Sequence, residues 1–237
     1  MSDELYFDCN GSTPVHPAVM DTFLAAVRTA PGNPAASHPA GLRAAQIVER
    51  ARTQVASALG AQSDEITFTS GGTESNNWVF ASIGAEHAAG HVLVSAIEHM
   101  SVLEPARALA ERGFSVEIVA PGAGGAVAVE DIEARLRPDT RLVAVMTANN
   151  ETGVVQPVRA VASICRTRNI RMHTDAVAAV GKLPLDVSDL GCDSMSLSAH
   201  KVYAPKGTGV LYVRRGVAMR AFVRGCGQQC GRRSGTE

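Results

Sequence analysis

The stretch EITFTSGGTE (residues 65–74) decides the fold. Residues 65–69 are typical of a strand because they are rich in β-branched and aromatic side chains. Gly71 and Gly72 permit a sharp turn, and residues 74–85 are predicted to form a helix. A strand that passes through a short turn into a helix is the unit from which sheets of parallel strands are built.

The same alternation of strand and helix extends along the chain. Further strands are predicted over residues 91–96, 115–119, 142–147, 170–174, 194–198 and 209–213, and further helices over residues 17–30, 41–59, 102–112, 129–136 and 158–168. This order favours the α/β class, with a three-layer α/β/α arrangement and a mostly parallel central sheet. In such sheets ligands bind beyond the carboxyl ends of the strands.

The composition is that of a soluble globular protein. Of 237 residues, 46% are hydrophobic and 19% are charged, so a sizeable core is expected and disorder is excluded as the main state. Twenty-two basic residues nearly balance 23 acidic ones, and aromatic residues make up only 4%. These values argue against nucleic acid or an anionic membrane as a partner.

Several features predict a cytoplasmic location. No apolar run is long enough to span a membrane, and the N-terminus MSDE (residues 1–4) is acidic and lacks the apolar core of a signal peptide. The cysteines are Cys9, Cys165, Cys192, Cys226 and Cys230. Their odd number and irregular spacing favour free thiols in a reducing compartment over a disulfide framework.

The first group of polar residues after a predicted strand is Ser70-Gly71-Gly72-Thr73. The glycines allow a close backbone approach, the helix start supplies free N–H groups, and the Thr73 hydroxyl adds a donor, which together suit a phosphate. It is not a Walker A loop, because the lysine of that motif is missing. The alternative is a tight turn in which Thr73 caps the helix.

His99 and the segment NNETG (residues 149–153) follow two further strands. The flat imidazole of His99 can stack on a planar cofactor or transfer protons. A side-chain amide, such as that of Asn150, can donate to a phenolic oxygen. The alternatives are a purely structural histidine and an Asx turn closed by Gly153.

Asp175 and Lys201 complete the set of polar residues at strand ends. A carboxylate at the position of Asp175 is costly to bury without a cation such as a protonated ring nitrogen; the alternative is a helix N-cap. Burial can lower the pKa of Lys201 and leave an amine that attacks an aldehyde; the alternative is a lysine that reaches solvent. Ser198 and His200 can hold an anion beside it.

One ligand accounts for all five groups. A cofactor with a phosphate, an aldehyde, a phenolic oxygen and a basic ring nitrogen is pyridoxal phosphate. We assign Lys201 to the aldehyde and Asp175 to the ring nitrogen. The phosphate is assigned to Gly72, Thr73, Ser198 and His200.

These motifs resemble those of the cysteine desulfurase family, in the class-V aminotransferase group of fold-type I pyridoxal phosphate enzymes. The matching segments are GNP (32–34), SGGTESNN (70–77), EH (98–99), NNETG (149–153), HTDA (173–176), SAHK (198–201) and RSGTE (233–237). The resemblance covers essentially the whole chain. It implies an N-terminal segment over residues 1–14 and a cofactor-binding large domain over residues 15–237, incomplete at its C-terminal end.

The resemblance also implies a reaction. Lys201 would hold the cofactor covalently, His99 would stack on its ring and assist proton transfers, and Asn150 would contact the ring oxygen. L-Cysteine would yield alanine and an enzyme persulfide, whose sulfur passes to an acceptor protein, as in iron–sulfur cluster assembly. Members of the family are homodimers, in which the threonine matching Thr236 reaches the phosphate of the neighbouring subunit.

The chain departs from the family pattern at several places. Most of the small C-terminal domain is missing, with the loop that holds the nucleophilic cysteine and the arginine that binds the substrate carboxylate. Ala178 stands where the family has a glutamine to the ring oxygen. Cys226 and Cys230 lie in an altered glycine segment, and two thiols alone do not make a closed zinc site, so no metal is expected.

Three alternatives to a complete cysteine desulfurase stay open. A selenocysteine lyase shares these motifs. A non-catalytic scaffold that keeps the fold accounts for the departures, and a fragment of a longer gene accounts for the early stop. We expect the chain to bind the cofactor without mobilising sulfur on its own, and its exposed apolar surface to favour association.

Overall fold

A computed structural model describes residues 5–237, and a seven-stranded sheet lies at its centre. In chain order the strands are β1 (Ile66–Thr69), β2 (His91–Ser95), β3 (Ser115–Val119), β4 (Thr140–Ala144), β5 (Arg171–Asp175), β6 (Ser194–Ser198) and β7 (Gly209–Val213). Their order across the sheet is β1-β7-β6-β5-β4-β2-β3. Neighbours from β6 to β3 are parallel, whereas β7 is antiparallel to both β1 and β6.

Helices cover both faces of this sheet. In chain order they are α1 (Pro17–Thr29), α2 (Pro39–Leu59), α3 (Gly72–Glu86), α4 (Met100–Glu111), α5 (Val129–Arg135), α6 (Val158–Thr167) and α7 (Val187–Leu190). In β2, Val92 and Val94 pack with Trp78 of α3, whereas Leu93 belongs to the cluster under α2, α5 and α6. This alternation confirms the predicted three-layer α/β/α arrangement.

The predicted elements agree closely with the observed ones. Two differences are informative. The predicted strand over residues 142–147 ends at Ala144, although the N–H groups of Val145 and Thr147 still donate to carbonyls of β5 and its end. The short helix α7 was not predicted, because four residues are too few to show a helical period.

Two predictions about the N-terminal end remain predictions. The acidic residues 1–4 lie outside the described residues, and the boundary between residues 14 and 15 stays a prediction.

Within residues 5–237, no helix combines the length and the apolar character needed to cross a bilayer. None of the residues of α1 is buried, and its Phe23 and Val27 are 51% and 57% exposed.

Glycine allows β7 to approach the turn that follows β1. Because the two strands are antiparallel, Gly209 pairs with Thr69 at the end of β1. A Cβ atom added to Gly209 would stand 2.4 Å from the Cα atom of Gly71, well inside van der Waals contact. The missing side chain therefore fixes how closely the turn at residues 70–72 lies against the sheet.

The Gly209→Ala variant is expected to lose about 1–3 kcal/mol of unfolding free energy, because an added methyl in a packed site forces the backbone to move. Gly124→Ala is the matched control: no heavy atom lies within 4 Å of its added Cβ, so its change should stay within about 0.5 kcal/mol. Urea unfolding followed by circular dichroism measures both values. Equal losses in the two variants would contradict the packing argument.

Candidate active site

A cavity of about 700 Å³ opens at the carboxyl ends of the parallel strands, within the usual size range of small-molecule sites. The predicted site residues that line it are Gly72, Thr73, His99, Asn150, Asp175, Ser198, His200 and Lys201. Thr236 does not line this cavity in the single chain and is exposed. Its contact with a neighbouring subunit stays a prediction.

α3 begins at the cavity without a side-chain cap. Its N-cap is Gly71, so the alternative in which Thr73 caps the helix is wrong. The first N–H groups of α3 therefore have no partner within the helix and can bind a ligand. A Cβ atom on Gly72 would lie 2.5 Å from Cγ2 of Val177. The turn is thus a narrow cradle that suits an anion.

Glu74 lies in the first turn of α3, where its charge would oppose an anion. Arg233 compensates this charge, with its Nε 2.8 Å from a carboxylate oxygen. Burial raises the pKa of Glu74, but hydrogen bonds from Arg233 and Ser70 outweigh burial and lower the pKa overall. Glu74 is therefore ionised and paired at neutral pH, and the C-terminal segment is fastened to the cavity rim.

Lys201 ends the 3₁₀ turn after β6, and its ammonium group reaches the N-terminal turn of residues 8–12. Its Nζ donates to the carbonyl oxygens of Asn10 at 2.5 Å and Gly11 at 2.9 Å. Burial, and then the charge of Lys182, lower the pKa of Lys201. A lower pKa increases the fraction of free amine at neutral pH, which is the form that attacks an aldehyde.

Asp175 is a buried carboxylate at the end of β5, with 4% of its surface exposed. One oxygen accepts from the N–H of Val177 at 2.9 Å and the other from Nδ2 of Asn76 at 2.7 Å. No lysine or arginine of residues 5–237 forms an ion pair with it, and burial raises its pKa. A turn and not a helix follows, so the N-cap alternative is wrong.

A buried chain of polar groups lies behind Asp175, and sequence reasoning did not assign it. Nδ2 of Asn76 donates to Asp175 and also to Oγ of Ser101 at 2.8 Å. Oδ1 of Asn76 lies 2.9 Å from Nε2 of His173. Burial lowers the pKa of His173 to about 3, so this imidazole is neutral and donates its Nε2 proton to Asn76.

His99 is both the cap of α4 and part of the cavity wall. Its Nδ1 accepts from the backbone N–H of Ser101 at 3.1 Å. A backbone N–H can only donate, so Nδ1 carries no proton and the neutral imidazole is protonated at Nε2. Within the described residues Nε2 makes no hydrogen bond, which leaves it for proton exchange in the cavity.

The two asparagines at positions 149 and 150 have different roles. Oδ1 of Asn149 accepts from the backbone N–H of Thr152 at 2.8 Å, so the Asx turn offered as an alternative is confirmed for this residue. Asn150 lines the cavity, and its carbonyl oxygen accepts from the side chain of Asn10. The N-terminal turn is therefore tied to Asn150 as well as to Lys201.

That N-terminal turn also supplies cavity residues that the sequence reasoning did not assign. Asp8, Gly11 and Ser12 line the cavity, and Oγ of Ser12 lies 3.2 Å from Nδ1 of His200. Burial, and then the charge of Lys201, lower the pKa of His200. The His200 imidazole is therefore mainly neutral at pH 7, and it would bind an anion by donating a hydrogen bond.

All five cysteines are free thiols, and none of them lines the cavity. Burial raises the pKa of both Cys165 and Cys192 to about 12, so neither is a ready nucleophile. Cys226 and Cys230 are exposed. Across residues 5–237 no group of His, Cys, Asp and Glu side chains is arranged to hold a metal ion.

Comparison with known proteins places this chain in a family. Residues 5–231 match the aminotransferase class-V family. A human protein named cysteine desulfurase is 44% identical, over 98% of this chain and 52% of its own length. Cysteine desulfurase IscS from Dictyoglomus turgidum is 40% identical, over 100% of this chain and 61% of its own length.

Solved structures share the fold over the same span. A NifS-like protein superposes with a TM-score of 0.95 at 40% identity, covering 98% of this chain and 65% of its own. A structure described as SspA in complex with cysteine has a TM-score of 0.95 at 37% identity, covering 99% of this chain and 69% of its own. The chain spans about half the length of the human relative (52%). Over the span that it shares with these proteins, the chain belongs to the aminotransferase class-V family.

Proposed function

We propose that this chain binds pyridoxal phosphate and forms the cofactor-binding part of a cysteine desulfurase that acts on L-cysteine. The observation that carries the proposal is the single cavity lined by Lys201, by the buried Asp175 and by the uncapped start of α3. The relatives named cysteine desulfurase and the SspA structure with cysteine support the substrate. When bound, the protonated ring of the cofactor would serve as an electron sink.

The residues of the cavity fit this cofactor at three points. Asp175 is a buried carboxylate without a cation, which a protonated ring nitrogen would supply. The start of α3, with Thr73 and Ser198 beside it, suits a phosphate. Lys201 has a lowered pKa and lines the same cavity, so its amine is available to an aldehyde.

Two side chains that line the cavity, Asp175 and His99, control protons in this proposal. Hydrogen bonds from Val177 and Asn76 lower the pKa of Asp175 against the larger effect of burial, which helps to keep the carboxylate ionised. His99 exchanges its proton at Nε2, because Nδ1 is held by Ser101. In this proposal Asn150 binds the ring oxygen.

Among the described residues, those that line the cavity include no thiol that could accept sulfur from the substrate. No cysteine lines the cavity, so the thiol that takes sulfur from the substrate must come from outside its lining. This observation favours a second candidate function, in which the chain by itself binds the cofactor and releases no sulfur.

We also propose that the protein is a cytoplasmic homodimer that delivers sulfur to an acceptor protein. The free state of its cysteines supports a reducing compartment. The exposed apolar residues Phe23 and Val27 of α1 support association. In the dimer Thr236 of one subunit would reach the phosphate bound by the other.

Borohydride reduction of the chain mixed with pyridoxal phosphate is expected to place a pyridoxyl group on Lys201, because this lysine combines a lowered pKa with a place in the cavity. Mass spectrometry of the tryptic peptides identifies the labelled position. Lys201→Ala should lose the label, whereas Lys206→Ala, a change in the same lining, should keep it. A label retained in Lys201→Ala at the same yield would refute the assignment.

Asn76→Ala is expected to weaken cofactor binding by about 10- to 100-fold, because a hydrogen bond to a charged group is worth about 1.5–3 kcal/mol. The bond lowers the pKa of Asp175, so its removal raises that pKa. Affinity is lost as the pH falls through the pKa of Asp175, and the loss should therefore begin at a higher pH in the variant.

Absorbance titration of cofactor binding at several pH values measures this effect. Asn77→Ala is the control, since its amide in the same helix bonds only to the carbonyl oxygen of Thr73. A pH profile that is identical in Asn76→Ala and the unchanged chain would show that Asn76 does not act through Asp175.

The purified chain loaded with the cofactor is expected to form no persulfide and to release no sulfide from L-cysteine above the level of free pyridoxal phosphate, because no thiol lines the cavity. Sulfide and alanine assays measure the two products. Sustained sulfide release that survives changing all five cysteines to serine would contradict the need for a thiol.

A further inference from the structure

A second cavity, of about 380 Å³, lies at the opposite end of the strands from the candidate active site. We call it the arginine pocket, after its basic lining residues His87, Arg141, Arg166, Arg171 and Arg214. They stand before or at the start of β2, β4 and β5, at the end of α6, and just after the antiparallel β7. The proposed function uses none of them.

The arginine pocket holds more positive than negative charge. Arg171 pairs with Glu86, and Arg214 pairs with Asp193, each at 2.5 Å. Arg166 donates to a backbone carbonyl oxygen and forms no ion pair in residues 5–237. Arg141 has no acidic partner either, so the pocket has two arginines without a counter-charge.

One donor atom of Arg141 has no hydrogen-bond partner within residues 5–237. Its Nε is buried and makes no hydrogen bond with any of the described residues. The stem of the side chain lies against Gly90, where an added Cβ would stand 2.7 Å from Cγ of Arg141. The backbone at Gly90 therefore restricts the position of the guanidinium group. A buried N–H group that has no hydrogen-bond acceptor is energetically costly.

The pKa of His87 reflects the charge of the arginine pocket. Burial, and then the nearby charge of Arg141, lower the pKa of His87, and Arg171 adds to this while Glu86 opposes it. The imidazole is thus in a net positive environment. A concave, polar site with a positive potential attracts anions.

We propose that the arginine pocket binds a small phosphate-type oxyanion, gripped by the guanidinium of Arg141 with Arg166 beside it. A planar guanidinium offers paired N–H groups whose spacing matches two phosphate oxygens. A cavity of about 380 Å³ admits a phosphate group with a small substituent. Inorganic phosphate and a small phosphate monoester share this chemistry.

NMR titration of His87 tests the proposal with a readout that is local to the pocket, so phosphate bound in the active-site cavity does not confuse it. In the full chain, saturating inorganic phosphate should raise the pKa of His87 by about 1 unit, because a nearby anion favours the imidazolium form. The His87→Gln variant assigns the resonance. A titration with glycerol phosphate then distinguishes the sources: tighter binding than inorganic phosphate identifies a monoester, and weaker binding identifies the free ion.

Arg141→Met should weaken phosphate binding in the arginine pocket about tenfold, as measured from the His87 resonance. The substitution removes the positive charge and the paired N–H donors of the guanidinium but keeps an aliphatic side chain. Arg141→Lys should restore part of the affinity, and Arg43→Met, a change at an exposed position of α2, should leave it unchanged. Circular dichroism verifies that each variant is folded. The proposal is overturned if phosphate does not shift His87, if sodium chloride of equal ionic strength shifts it as much, or if Arg141→Met retains the full affinity.

Discussion

A carboxylate buried without a cation is the constraint around which the candidate active site is arranged. Removing the charge of Asp175 from water is costly, and its hydrogen-bonding partners Asn76 and Val177 supply donors but no positive charge. Neutral His173 in turn fixes the orientation of the Asn76 amide. Burial raises the pKa of Asp175 and no cation of the described residues balances its carboxylate form, so the proposed ligand with a basic ring nitrogen would stabilise the ionised carboxylate.

Much of the fold could be predicted from the sequence because strands and helices leave local patterns. The buried strand β2 is apolar on both faces, and the strand-turn-helix unit from β1 to α3 is marked by its glycines. The direction of β7 has no such local mark. It depends on pairing with β6 on one side and with the distant β1 on the other, and only the assembled sheet reveals it.

The site residues at strand ends could be predicted because parallel strands end at one edge of a sheet. The role of Asn76 could not, because its segment 70–77 matched a family motif without showing which residue this buried amide contacts. The contacts of Lys201 with Asn10 and Gly11 join segments about 190 residues apart. The role proposed for Thr236 depends on a second subunit, so neither the local sequence nor the structure of one chain defines it.

The pairing of β1 with β7 also has a consequence for folding during synthesis. Ile66 leaves the ribosome long before its partner Tyr212. Strand β1 therefore has no partner strand while the residues between β1 and β7 are being synthesised. Contacts between distant segments form late, and unpaired strand margins invite misassociation. The nascent polypeptide is therefore most vulnerable just before β7 emerges, and chaperones would have the greatest effect in that interval.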